Sequence, residues 1–298
     1  MISFQTLKIN DSLYPDALQQ LRDAPPLLYA RGNLSLLKST CFAIVGTRAN
    51  TDYGQAMAAY FTKGLLSYGF TIVSGLAYGI DAAVHRAVVE AGGKTIAVLG
   101  NGIDTIHPAR HQHLAQDILR QNGLIFSEYG PGAGIRNYFF PKRNRLISGI
   151  SIGTLIIEAP QKSGALITAR CAFEQNRDVF AVPGDLSRHT FQGNHSLISS
   201  DMARLVRTPE DIISHLSHQP KLVLKIVIHH PKTQLKLVTV AQKNLWEIFS
   251  FHPQSIEDLL AKSRLSIEEC LVALSYFELK GYIRQESNQK FCKISEID

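Results

Sequence analysis

The segment Tyr138-Phe139-Phe140-Pro141-Lys142-Arg143-Asn144-Arg145 sets three aromatic rings immediately before three cations. Pro141 suits the first position of a helix, so the spacing predicts a helix that opens on positive charge. The helix macrodipole disfavours cations in a first turn, and placing them there implies an anion to meet them. Cations answer phosphates and exposed rings stack on bases, the two components of sequence-independent single-strand binding. The structural reading of the same residues puts the rings in a core and pairs Arg145 with Glu158 or Glu128.

Three further places suit an anion. Gly46-Thr47-Arg48, Ser74-Gly75 and Ser163-Gly164 each set small or hydroxyl residues just before a predicted helix, where backbone N–H groups are free to point outward. At the first, Gly46 allows close backbone approach and Arg48 adds a fork of donors. Taken singly, each is an ordinary strand-to-helix turn.

Other chemistries find less support. The first turn lacks the GxGxxG of a dinucleotide site. Gly92-Gly93-Lys94-Thr95 resembles the tail of a P-loop, but Val88 stands where its first glycine is required, and Lys94-Thr95 opens a strand rather than a helix. Asp81 and His85, one helical turn apart, are either an oriented acid/base pair or a helix cap and its brace. No GxSxG nucleophile motif occurs. His107, His111 and His113 surround a helix start without the partners of a metal site, and are expected to be solvated. The expectation is therefore no catalytic residue, no metal and no cofactor.

The elements that must position these residues follow from hydrophobic patterning. Cys41–Val45, Phe70–Ser74, Lys94–Leu99, Leu124–Ser127, Thr154–Glu158 and Asp178–Val182 are short apolar runs without in/out alternation, as strands buried on both faces are. Helical stretches fall between them. One runs from Asp52 to Tyr68, with Met57, Tyr60, Phe61, Gly64 and Leu65 on one stripe, Asp52 and Gln55 as a capping box, and Gly69 as the stop. Thr208-Pro209-Glu210-Asp211 is a second clear helix start. Alternating strands and helices imply an α/β fold with a doubly wound parallel sheet, and such sheets bind ligands outside the carboxyl ends of their strands. The glycine-rich turns and the basic helix all fall there.

Four segments are expected: a lead-in over 1–40, an α/β domain over 41–219, a basic linker or hairpin over 220–240 and a small unit over 241–298. The lead-in is predicted to be a short helix and an extended cover. Lys221, Lys225, Lys232 and Lys236 punctuate the third segment. The last has three predicted helices, 242–251, 255–263 and 266–280, followed by a two-stranded wing, the pattern of a winged helix. Its third helix opens on Glu268 and Glu269, which suits a partner-docking surface better than groove reading.

Of the 298 residues, 45% are hydrophobic and 19% charged, against a usual ~25% charged. That excludes a largely disordered or coiled-coil chain. The net charge of +6 leans toward polyanionic partners. No run approaches the ~20 apolar residues of a membrane span. Four scattered cysteines and a start without a signal-peptide pattern point to the cytoplasm.

Ordered blocks sharpen this reading. The runs SGLAYGIDAAVHRAVVEAGGKTIAVLGNGID (74–104), SEYGPG (127–132), FPKRNRLISGIS (140–151), IIEAPQKSGALITARCAFEQNRDVFAVPGD (156–185) and GNHSLI (193–198) closely resemble the DNA-processing protein A (DprA/Smf) family. Gly46-Thr47-Arg48 and YPDALQQLRDAPPLLYARGNLSLL (14–37) match as well. The resemblance is strong over roughly 10–215 and looser over the winged helix. It implies an extended Rossmann-like domain that binds single-stranded DNA, protects it during natural transformation and loads the RecA recombinase. It also implies a homodimer, here expected through Leu205–Leu216, and no catalytic activity. Carried over by position, the DNA-pocket residues are Gly46, Arg48, Ser74, Gly75, Phe140, Lys142, Arg143, Asn144, Arg145, Ser163 and Gly164. The helical SAM-like domain that many members carry ahead of the sheet is expected to be missing. Ser199-Ser200-Asp201-Met202-Ala203 replaces a run of small residues, which predicts an altered turn there. The lysine segment has no family counterpart. The alternative function on the same sheet is that of the LOG-type nucleotide phosphoribohydrolases. Their PGGxGTxxE signature is matched only by Gly153-Thr154 and Glu158, with one residue too many between them.

Overall fold

A computed structural model describes residues 3–217, 239–250, 253–279, 282–286 and 290–293. The chain divides into two units, Met1–His229 and His230–Asp298.

The first unit opens with β1 (Gln5–Lys8), α1 (Asp16–Gln19) and β2 (Leu27–Gly32). The alternating part follows: β3 (Cys41–Val45), α2 (Asp52–Ser67), β4 (Thr71–Ser74), α3 (Ile80–Glu90), β5 (Thr95–Leu99), α4 (Gln112–Arg120) and β6 (Leu124–Ser127). Then come α5 (Phe139–Gly149), β7 (Gly153–Ile156), α6 (Gly164–Glu174), β8 (Asp178–Ala181), α7 (Gln192–Ser199), β9 (Arg204–Leu205) and α8 (Pro209–Ser217). All six predicted strands form, and every residue of β3, β4, β5, β6 and β7 is buried. That is why these runs lack alternation.

The sheet has nine strands in the order β1-β2-β6-β5-β4-β3-β7-β8-β9. From β6 through β9 all neighbours are parallel. The winding reverses between β3 and β7, so the topological switch point, where such sheets hold ligands, lies between those two strands. One face is covered by α1, α5 and α6, through Leu18, Leu146, Ile147, Ala165 and Ala169. The other is covered by α2, α3, α4 and α8, through Phe61, Leu65, Ile80, Val84, Leu114, Ile118, Ile212 and Leu216.

The lead-in is more than a cover. β2 pairs antiparallel with β6, setting Tyr29 opposite Ser127 and Gly32 opposite Leu124, and β1 pairs antiparallel with β2. Tyr14 is fully buried and donates its hydroxyl to the Pro25 carbonyl at 2.7 Å. The edge of β6 would otherwise expose unpaired backbone groups, and the lead-in satisfies them. Local caps also shift. The cap of α2 is Thr51, whose side chain accepts from the Gly54 N–H, not Asp52 with Gln55. Helix α5 begins at Phe139 after Tyr138, which moves Pro141 to its third position, where a missing N–H still costs no hydrogen bond. The turn after α7 places Asp201 in the left-handed region, at φ 54°.

The second unit holds α9 (Val240–Ile248), α10 (Ile256–Ser263), α11 (Ile267–Leu279) and an antiparallel wing of β10 (Ile283–Glu286) and β11 (Lys290–Lys293). Leu245, Trp246, Leu259, Leu274 and Phe277 form its core. On α11, Ile267, Leu271 and Val272 are exposed beside Glu268 and Glu269. The expected basic linker lies almost wholly outside the described residues. Among those residues no helix is long and apolar enough to cross a membrane.

Candidate nucleic-acid interface

At the switch point the turns after β3 and β7 diverge and leave a cleft of about 420 Å³. Val45, Gly46, Thr47, Arg48, Ala77 and Asp81 line one part of it. The start of α5 forms a wall with Phe140, Pro141, Arg143, Asn144 and Ile147. The β7–α6 turn and the first turns of α6 contribute Pro160, Lys162, Ser163, Gly164, Ala165, Ile167 and Thr168. Seven of the eleven residues singled out from sequence therefore meet in one cleft: Gly46, Arg48, Phe140, Arg143, Asn144, Ser163 and Gly164.

Their roles differ. Arg48 is exposed, and its guanidinium carbon lies 5.6 Å from the centroid of the half-buried Phe140 ring, a cation–π arrangement at the rim. Ser163 caps α6 by accepting from the Ala165 N–H at 3.2 Å. Gly164 is exposed with open space where a Cβ would stand, so the start of α6 can approach an anion closely. Asn144 donates to the Gly164 carbonyl at 3.2 Å and bridges the two walls. Gly46 is required for a different reason than anticipated: a Cβ there would collide with Ile80, and the next N–H, that of Thr47, is engaged with the Glu158 carbonyl at 2.7 Å.

Arg143 is buried to 4% exposure beneath the cleft. It donates from Nη1 to the carbonyls of Gly75, at 2.7 Å, and Val98, and from Nε to Asn144 Oδ1 at 3.2 Å. Burial pulls its pKa down to about 10, opposed by Asp81 and reinforced by Arg48. Asp81 accepts from the N–H groups of Gly75, at 3.2 Å, and Ala77, at 3.4 Å. Burial raises its carboxyl above the ordinary range, against the pull of Arg143. His85 is fully buried against Thr95 Oγ1 at 2.9 Å, and burial pushes its pKa down to about 3. Asp81 and His85 thus face separate partners: Asp81 braces the turn after β4, and His85 packs against Thr95 at the start of β5.

Four sequence-predicted residues do not line the cleft. Ser74 is fully buried and donates its hydroxyl to the Ile44 carbonyl at 2.8 Å, across the sheet. Gly75 lies under Arg143. Arg145 turns to the opposite side of α5, where its guanidinium holds Asp23 and, at 2.9 Å, Glu128. Lys142 is half-exposed on that same side, 3.6 Å from Glu128 and over the Tyr129 ring. A helix turns 100° per residue, so consecutive cations cannot share a face. The rings split likewise: Phe140 faces the cleft, Phe139 stacks on Tyr129 with centroids 3.7 Å apart, and Tyr138 is exposed.

Lys162 and Thr168 were not singled out from sequence. The signal for Lys162 was present, since an exposed cation just before Ser163-Gly164 sits at the switch point. His111 is not solvated but buried, with Nδ1 2.8 Å from the Leu76 carbonyl. The residues that echo the phosphoribohydrolase signature form no glycine loop. Gly153–Ile156 is β7 itself, and buried Glu158 accepts from the N–H and hydroxyl of Thr51 at 2.9 and 3.1 Å.

Similarity to known proteins covers both units. Residues 5–217 match the profile of the DNA recombination-mediator protein A family, and residues 231–289 that of the DprA winged helix domain. Protein Smf of Escherichia coli is 45% identical over 207 residues, 70% of this chain and 55% of its own length, so this chain spans about half of that relative. DNA processing protein DprA of Streptococcus pneumoniae is 43% identical over 211 residues, 71% of this chain and 74% of its own. Its crystal structure superposes with a TM-score of 0.67 over 71% of this chain and 74% of that one. DNA processing protein A of Helicobacter pylori, whose structure is described as showing a single-stranded DNA binding mode, is 31% identical with a TM-score of 0.65, covering 72% of this chain and 95% of that one. With the doubly wound sheet, its switch-point cleft and the winged-helix unit all in place, this chain belongs to the DNA recombination-mediator protein A family.

Proposed function

We propose that this protein binds single-stranded DNA without base specificity in the cleft between β3 and β7, protects it, and passes it to the RecA recombinase in recombination and natural transformation. It acts as a cytoplasmic homodimer, without catalysing a reaction. The observation that carries this reading is the Arg48–Phe140 pair on the cleft rim. An exposed cation supplies phosphate attraction, and the half-buried ring beside it supplies a stacking surface for a base. Lys162 and the open backbone at Gly164 add a second anion-facing wall. The Helicobacter pylori relative's binding mode supports the ligand class.

The test compares a dT oligomer with a duplex of equal length by gel shift, for the full chain and for Arg48→Ala. The reading expects preference for the single strand and its loss in the variant. Equal binding of both nucleic acids, or an unchanged Arg48→Ala protein, overturns it. The RecA step is tested by strand exchange on oligomers precoated with a single-strand-binding protein, where addition of this chain should relieve the block. For the dimer, Val206, Ile212, Ile213 and Leu216 are committed to their own core, which leaves the β9 edge and exposed Leu205 as the contact. Light scattering should then show a dimer that Leu205→Asp converts to monomer.

A further inference from the structure

Beyond the cleft, two ring pairs lie at the carboxyl ends of β4 and β5, Phe140 with His107 and Tyr78 with His111. The Phe140 ring packs against Gly100 and lies beside the Arg48 guanidinium and the imidazole of His107, whose centroid is 5.6 Å away. His107 is half-buried. One turn later on the same loop, His111 meets the Tyr78 ring edge-to-face, with centroids 5.2 Å apart at 69°. Tyr78 is 44% exposed, although the residues on either side of its loop are among the most buried in the chain.

The placement of Tyr78 is built. His111 is 4% exposed and fixed by the Leu76 carbonyl. Leu76 itself holds a left-handed conformation, φ 55°, a strained geometry for a branched side chain that persists only where its surroundings enforce it. A buried polar side chain and a strained backbone thus present a large ring to solvent in one orientation. Presenting it this way removes the entropy cost of ordering it on binding. Arg48 lies over Phe140, Arg110 is exposed on the same loop as His107 and His111, and Asp104, the acid of that loop, is engaged with the Gly132 N–H at 3.0 Å.

We propose that Tyr78 and His107 continue the single-strand track past Phe140, so that a longer strand leaves the cleft across the ends of β4 and β5 with successive bases stacked on these rings. This rests on the cleft being a single-strand site. Burial lowers the His107 pKa, reinforced by Arg48 and His111, which keeps the imidazole neutral and suited to stacking at neutral pH. Stacking on such rings tolerates any base, consistent with recognition of the backbone elsewhere in the site.

The experiment measures fluorescence anisotropy of labelled dT oligomers of about 4 and about 16 nucleotides, spanning the usual range of single-strand site sizes. The proteins are the full chain, Tyr78→Ala, Tyr78→Phe and Arg48→Ala, each checked for folding by circular dichroism. The full chain should bind the long oligomer more tightly than the short one. Tyr78→Ala should lose about tenfold of that gain, the order expected for one stacked base, and Tyr78→Phe should keep it. If Tyr78→Ala retains the whole gain, or Tyr78→Phe loses it as Ala does, the extended track is wrong. Arg48→Ala separates the two readings. A loss of both oligomers with Tyr78→Ala unchanged refutes the track but keeps the cleft. Binding of both oligomers undiminished in Arg48→Ala refutes the cleft itself.

Discussion

The guanidinium of Arg143 lies directly on the backbone of Gly75, with Nη1 2.7 Å from its carbonyl oxygen. A Cβ on residue 75 would fall among Nη1, Cζ and Nη2 of the arginine. The glycine thus makes room for a buried cation that ties α5 to the ends of β4 and β5, and the wall of the cleft depends on that tie.

Gly75→Ala should therefore damage both fold and site. Forcing a methyl group into the space of a packed side chain costs about 1–3 kcal/mol. Chemical denaturation should show that loss, and single-strand affinity should fall with it because Phe140 moves with α5.

Arg143→Ala and Arg48→Ala should separate cleanly, although both were expected from sequence to be DNA contacts. Removing Arg143 orphans the Gly75 and Val98 carbonyls, at about 1–3 kcal/mol each. Arg48→Ala should leave unfolding free energy within about 0.5 kcal/mol, as exposed substitutions do. It should weaken dT binding by about 1–3 kcal/mol, the range for a lost charged hydrogen bond. Paired denaturation and binding measurements check this, and an Arg143→Ala protein of full stability would contradict it.

Stability should fall in acid through His85. Its ordinary pKa of 6.5 drops to about 3 in the fold. Between those values the unfolded chain binds a proton that the folded chain refuses, so stability declines as pH falls through that window, by up to about 1.4 kcal/mol per pH unit. Asp81, with a raised pKa, acts in the opposite direction, because its folded form takes up a proton more readily than its unfolded form. The check is therefore a difference. Denaturation of wild type and His85→Gln between pH 7 and pH 4 should diverge in slope, with the wild type the steeper.

Binding should depend steeply on salt. A site contacting roughly 3–5 phosphates gives a log–log slope of about −2 to −4, at about −0.7 per phosphate on single strands. Titration of a dT oligomer across ionic strengths measures it, and a flat response would point away from backbone recognition.

Single-strand binding should survive loss of the second unit. Glu268 and Glu269 at the start of α11 repel phosphate, and Ile267, Leu271 and Val272 beside them suit a protein surface. Chains ending at residues 219 and 240 should match the full chain in affinity. A loss confined to the shorter one would credit the lysine segment, and a loss of more than about tenfold in both would make the winged helix a DNA-binding domain.

The sheet was legible in the sequence because strands buried on both faces must be continuous apolar runs, and punctuating glycines fix where they end. Once the winding order is known, the cleft follows: Gly46–Arg48 comes directly after β3, and Ser163–Gly164 opens α6 after β7, the two strands at which it reverses. The winged helix was equally legible, from its three helix patterns and wing. Tertiary structure alone decided which cations face the cleft. Arg143, Arg145 and Lys142 are near neighbours in sequence, but the rotation of α5 buries the first under the cleft and turns the other two toward Glu128. Only the pairing of β2 with β6 made the lead-in part of the sheet, because an edge seeks any strand that satisfies its backbone, and no local pattern names the partner. The same holds for Tyr78 and His111. Each is unremarkable in its own segment, and they meet only because the ends of adjacent parallel strands bring two distant loops together.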